Sequence, residues 1–393
     1  MRTTRRLFGF LLMFLLLLPV AAQQKWNYPT VTGKYTDTLV YRHPQPYGVP
    51  QLVVPAPCDR TKVRNVILMI GDGMGVAHVY AAMVANGGRL WLNNCPVSGF
   101  SETWSASSLI TDSAAGGTAL ATGHKTNNGV LGMDSDLRPV RSILEKAAEQ
   151  GLATGMVVTC KIEHATPASF IAHVPRRSMY EEIAAQFLDT DIDLFIGGGL
   201  KEFVQRRDGR NLVSELKHKG YQVITRPDSL QYADRNRKLA ALVDEGHLPP
   251  YALGRGDYLP QATELAIEML SRNRKGFFLM VEGSQIDWAG HNNHTPYLVT
   301  EMLDFDRAIG KALEFAAHDG HTLVIITADH ETGGLTINGG SIRADSVVTR
   351  YTSTNHTAVM VPVFAFGPGA CSLSGIHDNT GIFYIMMKAL GLE

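Results

Sequence analysis

The sequence predicts an α/β fold in which a mostly parallel central sheet carries helices on both faces. Continuous apolar runs, of the kind found in strands buried on both faces, recur along the chain. Segments with helical periodicity lie between these runs, and strands that alternate with helices are typical of a parallel sheet. The predicted strands are residues 65–70, 152–159, 194–197, 276–281, 322–327 and 361–366.

Helices are predicted where apolar residues recur at intervals of three and four positions. The predicted helices are residues 76–84, 140–149, 179–188, 211–219, 260–271, 298–317 and 381–390. The stretch 198–258 is more polar and is interrupted by glycine and proline. We interpret this stretch as a small insertion and expect residues 61–393 to form a single main domain.

The N-terminal segment, residues 1–22, has the features of a cleavable export signal. Three arginines precede an apolar run at residues 7–20, and two alanines follow it. The alternative is a membrane anchor, which needs a longer apolar run than this one. We therefore expect cleavage after Ala22, export to a periplasm or to the medium, and no stable membrane insertion afterwards. Residues 23–60 are expected to form an N-terminal arm.

The overall composition argues against a nucleic-acid partner. The 393 residues carry a formal net charge of −1, without a basic arm or a block of like charges. The four cysteines lie far apart and form no CxxC or Cys-His cluster, so their pairing stays open. Cys160 follows an apolar run and is interpreted as a buried thiol rather than a redox group.

A stretch of small residues predicts a turn that can bind phosphate. Residues 111–122 read TDSAAGGTALAT, which indicates a tight turn that opens a short helix. Asp112 suits the N-cap position, so Ser113 would lie at the positive end of the helix, where backbone N–H groups favour an anion. The alternative is an ordinary capped helix with a surface serine.

Polar side chains follow several predicted strands at the point where each strand ends. The carboxyl ends of parallel strands share one edge of the sheet, where functional groups gather. Zinc takes histidine nitrogen and aspartate oxygen, whereas magnesium prefers oxygen donors, so these groups together suit divalent metals. Taken singly, each has another explanation, such as a helix cap or an i,i+4 ion pair. The candidates are Asp72, His164, Thr166, Glu282, Asp287, His291, Asp329 and His330.

Together these motifs resemble those of the alkaline phosphatase family. They occur in the family's order and span most of the chain after the signal. The motifs are Gly71-Asp72-Gly73-Met74-Gly75, Thr111-Asp112-Ser113-Ala114-Ala115-Gly116, His164-Ala165-Thr166-Pro167-Ala168, Val281-Glu282-Gly283 with Ile286-Asp287 and His291, Ala328-Asp329-His330, and His356-Thr357. The resemblance implies an alkaline-phosphatase-like three-layer sandwich and hydrolysis of phosphate monoesters through a phosphoserine intermediate.

The resemblance also implies a role for each matching residue. Ser113 would be the nucleophile, and Arg177 would bind phosphate. The implied metal sites are a zinc held by Asp287, His291 and His356, a second zinc held by Asp72, Asp329 and His330, and a magnesium held by Asp72, Thr166 and Glu282. Two cations about 4 Å apart can stabilise the attacking and leaving oxygens of an in-line displacement. A guanidinium pairs bidentately with a phosphate dianion, which favours a monoester over a diester.

Some positions leave alternatives open. His164 stands where some family members have a carboxylate, so it is expected to bind the third ion directly or through water. Cobalt or another transition ion is therefore an alternative to magnesium. Trp288 stands where other members have a basic residue. Arg176 competes with Arg177 for phosphate, and the spacing from Thr166 favours Arg177.

The nearest alternative function is that of a phosphodiesterase or sulfatase on the same core. Such relatives typically carry threonine, or a cysteine or serine converted to an aldehyde, at the nucleophile position, so Ser113 favours the monoesterase. A non-catalytic protein that binds metal or phosphate is the alternative of another class. The expected ligands are small phosphate monoesters and inorganic phosphate, and the resemblance implies a homodimer. His173 and His294 stay unassigned, and the other lone histidines are interpreted as structural.

Overall fold

The computed structural model describes residues 28–60 and 63–392, so the predicted signal at residues 1–22 lies outside the described residues. The strands are β1 (Val40–Arg42), β2 (Asn65–Gly71), β3 (Val97–Glu102), β4 (Ala153–Lys161), β5 (Leu194–Gly198), β6 (Gln222–Ile224), β7 (Leu239–Leu242), β8 (Phe277–Gly283), β9 (Thr322–Thr327), β10 (Glu331–Thr332), β11 (Leu335–Ser341), β12 (Ser346–Tyr351), β13 (His356–Thr357), β14 (Val361–Phe366) and β15 (Gly375–Asp378).

The helices surround the sheet and include the long α10. They are α1 (Val76–Ala85), α2 (Ser113–Thr122), α3 (Ile143–Glu149), α4 (Ala165–Ala168), α5 (Tyr180–Gln186), α6 (Leu200–Val204), α7 (Leu212–His218), α8 (Tyr258–Leu270), α9 (Gln285–His291), α10 (Thr295–Asp319) and α11 (Asn379–Leu390). Short 3₁₀ helices lie at Trp91–Asn94, Pro227–Tyr232, Tyr251–Leu253, Ile342–Ala344 and Ala370–Leu373.

The central sheet has ten strands in the order β15-β3-β14-β9-β2-β8-β4-β5-β7-β6. All neighbouring strands are parallel except at β14, which runs antiparallel to both β3 and β9. The prediction of an α/β fold with a mostly parallel sheet is therefore confirmed. Every residue of β2, β4, β8 and β9 is buried, as the continuous apolar runs predict.

The stretch 198–258, predicted to be a small insertion, contributes directly to this sheet. It contains β6 and β7, which extend the sheet beyond β5 at one edge. The first strand of the arm, β1, instead joins β12 and β11 in a separate three-stranded antiparallel sheet. The end of the arm is tied to the C-terminal part of the chain by a disulfide between Cys58 and Cys371. No helix within the described ranges combines the length and hydropathy needed to cross a bilayer.

Candidate active site

The candidate residues come together at the carboxyl edge of the central strands. Asp72 directly follows β2, and Glu282 lies at the end of the neighbouring β8, whose residue pairs include Ile70 with Glu282. Asp329 and His330 follow β9, which pairs with β2 on its other side. The parallel register of these adjacent strands explains why residues far apart in the sequence share one site.

Ser113 is the first residue of α2, and Asp112 is its N-cap. The Asp112 carboxylate accepts a hydrogen bond from the backbone N–H of Ala115 at 3.0 Å, as predicted from the sequence. Ser113 Oγ lies 3.2 Å from His330 Nε2. The helix terminus thus brings the hydroxyl against the imidazole that follows β9 and surrounds it with backbone N–H groups that favour an anion.

Arg177 lies in the same cleft and is held by the helix cap. Its Nη1 donates to Asp112 Oδ2 at 3.0 Å, and its backbone N–H donates to the carbonyl of Gly129. Although burial opposes the charge of the guanidinium, the carboxylate of Asp112 outweighs it and raises the pKa of Arg177. Arg176, the competing residue, is exposed and does not line the cleft. Only Arg177 of this pair therefore faces Ser113.

The first group of metal-binding side chains contains Asp287, His330 and His356, whose ligand atoms lie within 4.8 Å of one another. His291, predicted for this group, lies beside it. Its Nε2 is 3.3 Å from Asp287 Oδ1 and 3.2 Å from His356 Nε2. The helix α9 causes this proximity, because Asp287 and His291 are four residues apart on one face.

The second group contains Asp72, Asp329 and His330, the set predicted for the ion beside Ser113. Asp329 Oδ1 accepts hydrogen bonds from the backbone N–H groups of Gly73 and His330, at 3.2 and 3.0 Å, which leaves Oδ2 free for a cation. Glycine is required at position 73 because φ is +73° and a Cβ would lie 2.8 Å from Asp287 Cα.

The third group includes a residue that was not predicted. Its members are Cys160, His164 and Glu282, again with ligand atoms within 4.8 Å of one another. Burial raises the pKa of Asp72, and the carboxylate of Glu282 is near enough to raise it further. Thr166, on α4, is fully buried, and its hydroxyl lies against the carboxylate of Glu282. Sequence reasoning placed His164, Thr166 and Glu282 here but left Cys160 out.

Hydrogen bonds fix the orientation of the three imidazoles in the first two groups. His291 Nδ1 lies 2.6 Å from the carbonyl of Thr354, and His356 Nδ1 lies 2.9 Å from the carbonyl of Thr111. Each Nδ1 must carry a proton to donate to a carbonyl, so each Nε2 is directed into the site and is the nitrogen that can bind a metal. This is the tautomer that a metal ligand requires.

Thr332 orients the third imidazole, that of His330. His330 Nδ1 lies 3.2 Å from Thr332 Oγ1, and the Thr332 hydroxyl donates to Asp287 Oδ1. The proton on the hydroxyl points to the carboxylate, so the hydroxyl oxygen accepts from Nδ1–H of His330. The sequence held a weak signal for this role, because residues 330 and 332 share a face of an extended segment. The sequence held no such signal for the carbonyls that orient His291 and His356.

Buried polar atoms without hydrogen-bond partners indicate that the site fits cations. Within the described residues, the aspartate, glutamate and histidine candidates supply five such atoms. They are both carboxylate oxygens of Asp72, Asp329 Oδ2, Glu282 Oε1 and His164 Nδ1. Burying a carboxylate without a partner is costly, and a bound cation removes that cost. The donor set of carboxylates and imidazoles fits zinc in the first two groups.

Burial shifts the pKa of most ionisable groups in the site in the direction that favours the neutral form. Burial raises the pKa of Asp72 well above its ordinary value and that of Asp329 to about 8, with further increases from neighbouring carboxylates. Burial also lowers the pKa of His330 and His356 and keeps both imidazoles neutral. His291 is different, because Asp287 overcomes the effect of burial and raises the pKa of His291 to about 9. Metal binding must therefore release protons.

The groups open into a cleft of about 240 Å³ that contains Ser113. Tyr28, from the N-terminal arm, forms part of its wall. The Tyr28 ring stacks on that of Trp288, with centroids 5.7 Å apart and planes 2° from parallel, and it also stacks on His291. The arm therefore contributes to the rim of the site, which the sequence did not predict.

The two histidines left unassigned have local structural contacts. His173 Nε2 lies 3.2 Å from Glu145 Oε1, and its Nδ1 lies near the carbonyl of Gly132. His294 caps α10, accepting from the backbone N–H of Tyr297 at 3.1 Å. Neither histidine lines the cleft.

Comparison with known proteins identifies the family to which this site belongs. A family model described as alkaline phosphatase matches residues 63–350. The chain belongs to the alkaline phosphatase family. It is therefore an enzyme of a metal-dependent family of phosphoric monoester hydrolases, as the ordered motifs predicted.

Individual alkaline phosphatases are similar over most of their length. Alkaline phosphatase 4 of Bacillus subtilis (strain 168) is 36% identical, over 84% of this chain and 90% of the relative. The structure of alkaline phosphatase from the Antarctic bacterium TAB5 is 40% identical, with a TM-score of 0.81 over 84% of this chain and 99% of the other. A variant of the TAB5 enzyme, in which a histidine is replaced by aspartate and Mg is bound in the M3 site, is 39% identical with a TM-score of 0.78 over 87% of this chain and 99% of the other.

Proposed function

We propose that this alkaline phosphatase hydrolyses phosphate monoesters through a phosphoserine intermediate on Ser113. The observation that carries the proposal is the position of Ser113 Oγ, which lies 3.2 Å from His330 Nε2 at the N-terminus of α2. His330 is shared by two groups of metal-binding side chains. The nucleophile is therefore next to buried donors that fit cations and next to backbone N–H groups that fit an anion.

The residues of this chain have separable roles in the reaction. Arg177, held by Asp112, binds two non-bridging oxygens of the ester and orients phosphorus toward Ser113. Ser113 Oγ releases its proton to solvent and forms a bond to phosphorus as the bond to the leaving oxygen breaks. The leaving oxygen takes up a proton from water and departs as an alcohol. Water then attacks phosphoserine from the side that the alcohol left, which releases inorganic phosphate and restores Ser113.

The proposed metal ligands are those that the family resemblance implies, and the groups of neighbouring side chains support them. Two zinc ions would be held by Asp287, His291 and His356 and by Asp72, Asp329 and His330. A third divalent ion would be held by Asp72, Thr166 and Glu282 together with His164. The third ion is expected to be magnesium, or cobalt or another transition ion, and the TAB5 variant with Mg in the M3 site supports a third site in this family. When bound, such ions stabilise negative charge on the attacking and leaving oxygens.

The proposal also includes the oligomeric state of the protein and its export. Residues 61–393 form one catalytic domain that acts as a homodimer after export. The signal at residues 1–22 supports export, and so does the disulfide between Cys58 and Cys371, since such bonds persist in oxidising compartments. Assays should therefore compare the protein with and without a reducing agent.

The test compares the wild-type protein with Ser113→Ala on a phosphate monoester, a phosphate diester and a sulfate ester. We expect the monoester to be the preferred substrate. Ser113→Ala should lose several orders of magnitude in kcat but keep its metal content, because Ser113 is not in a metal-binding group. Ser178→Ala, an exposed serine beside Arg177, is the control. Preference for the diester or the sulfate, or full metal binding without turnover, would contradict the proposal.

A further inference from the structure

Cys160 lies in the third metal group although the motifs did not include it. It is on β4 and fully buried, and its Sγ lies 3.4 Å from Glu282 Oε2. The sulfur, one imidazole nitrogen of His164 and one carboxylate oxygen of Glu282 all lie within 4.8 Å of one another. The group therefore offers sulfur, nitrogen and oxygen to a single ion.

A second observation shows that this pocket lacks a partner for its polar atoms. His164 Nδ1 and Glu282 Oε1 are buried and make no hydrogen bond. The other carboxylate oxygen, Glu282 Oε2, accepts from the Ser284 hydroxyl at 2.6 Å. The atoms without partners belong to the side chains around the Cys160 sulfur, which is the pattern expected around a cation.

We propose that the third site binds a transition ion of the zinc or cobalt type, with the thiolate of Cys160 as a direct ligand beside His164 and Glu282. Thiolate and imidazole donors favour such ions, whereas magnesium prefers an all-oxygen set and retains water. The inference rests on the third site of the proposed function and narrows its metal.

The coordination step is a proton exchange without a change of oxidation state. The S–H bond of Cys160 breaks, the proton leaves to solvent, and a bond forms between sulfur and the divalent ion. Ser284 keeps its hydrogen bond to Glu282 Oε2, so the carboxylate stays oriented while Oε1 binds. His164 Nδ1 binds as the neutral donor, and the proton of the imidazole moves to Nε2. The hydrogen bond that Arg177 Nη2 donates to that Nε2 at 3.4 Å must then break.

The test replaces the metals of the full-length protein with Co²⁺ and records its near-ultraviolet and visible absorption. We expect three ions per chain and a thiolate-to-cobalt charge-transfer band. Cys160→Ser should abolish this band, whereas Cys95→Ser should keep it, because Cys95 is the other free thiol and lies outside the cleft. Excess Mg²⁺ should displace the third ion from Cys160→Ser but not from the wild-type protein.

Several results would overturn the proposal. They are fewer than three cobalt ions per chain, absence of the band in the wild-type protein, persistence of the band in Cys160→Ser, and displacement of the third ion by Mg²⁺ in the wild-type protein. The wild-type spectrum decides the matter even where the variant fails to fold. Hydrolysis of a monoester by wild-type protein without the band would contradict this inference alone, whereas loss of all monoester turnover would contradict the proposed function.

Discussion

At the scale of single residues, the site depends on which imidazole nitrogen carries the proton. Backbone carbonyls hold Nδ1 of His291 and His356, and a hydroxyl holds Nδ1 of His330. These contacts turn every Nε2 inward before any ion arrives. Such orienting contacts limit the entropy lost on metal binding and raise the basicity of the ligand.

Thr332→Val removes the hydroxyl between His330 and Asp287 while it keeps the shape of the side chain. We expect zinc affinity to fall about 10- to 100-fold, since orienting partners of metal ligands have effects of this size. Competition with a chelator of known affinity measures it, and excess zinc should restore turnover. Thr336→Val, at an exposed position of β11, is the control. Unchanged zinc affinity in Thr332→Val would remove the threonine from this role.

Arg177→Ala should impair monoesters more than diesters. In the proposed function, the guanidinium makes charge-assisted hydrogen bonds to two non-bridging oxygens, and only a monoester presents them as part of a dianion. We expect kcat/KM for a monoester to fall on the order of 10- to 100-fold. Arg176→Ala tests the exposed neighbour and should leave kcat/KM unchanged. Equal losses for the two ester classes in Arg177→Ala would argue against its binding phosphate.

Sequence and structure agree best on the positions of residues whose own side chains line the site. Asp72 and Asp329 could be located because motif and strand pattern coincide, and Ser113 because motif and helix-cap pattern coincide. Cys160 could not, because its position after an apolar run is equally typical of a thiol in the core. The roles of Thr111 and Thr354 depend on backbone carbonyls, which every residue type has.

At the scale of elements, burial decides what could be predicted. The apolar runs of β2, β8 and β9 identify strands covered on both faces. The strands β3, β6 and β15 are short or mixed in polarity and are partly exposed, so their pairing with neighbours defines them more than their composition does. The reversed direction of β14 could not be predicted, because an apolar run does not encode the direction of a strand.

The N-terminal arm is the element whose role is least evident from the sequence. Tyr28 stacks on Trp288 and reaches the rim of the cleft on the side of His291. We expect the alcohol to leave on this side, opposite the attacking Ser113. An aromatic leaving group can therefore contact the Tyr28 ring, whereas an aliphatic one gains less from it.

Tyr28→Ala should lower kcat/KM about 2- to 10-fold for phenyl phosphate relative to glycerol phosphate, which is the range of an aromatic contact. Tyr28→Phe keeps the ring and should behave as wild type. Tyr35→Ala disturbs the arm away from the cleft, where Tyr35 packs against Tyr41 and His294, and it serves as the control. An unchanged ratio of the two substrates in Tyr28→Ala would show that the ring is a packing element only.

At the scale of the whole molecule, the metal ions and the fold are coupled. The buried, unpartnered carboxylates lie at the ends of the central strands, so they weaken the folded state unless cations or protons neutralise them. Metal binding to the folded state alone also stabilises it by mass action. The active site and the centre of the sheet should therefore lose stability together on chelation.

The chelated protein should become less stable as pH rises. The folded-state pKa is raised to about 7 for Glu282 and to about 8 for Asp329, in both cases chiefly by burial, and to about 9 for His291 by Asp287. A group with a raised pKa binds its proton more tightly when folded, so its contribution is present at low pH and is lost as pH rises through that value. Calorimetry should show a melting temperature lower on the order of 5 °C at about pH 9 than at about pH 6.

The zinc-loaded protein is the control for that experiment. Bound cations displace the protons, so its melting temperature should be higher than that of the chelated protein and should change less over the same pH range. Identical pH dependence with and without zinc would indicate that the three groups do not hold the ions.

The most direct test of the account is the capture of the phosphorylated enzyme. The zinc-loaded protein is mixed with a phosphate monoester, quenched in acid, digested and mapped by mass spectrometry. We predict a phosphate on Ser113 that is absent after chelation and absent in Ser113→Ala. Turnover without a phosphorylated residue, or a phosphate on another side chain, would contradict the claim that this hydroxyl attacks phosphorus.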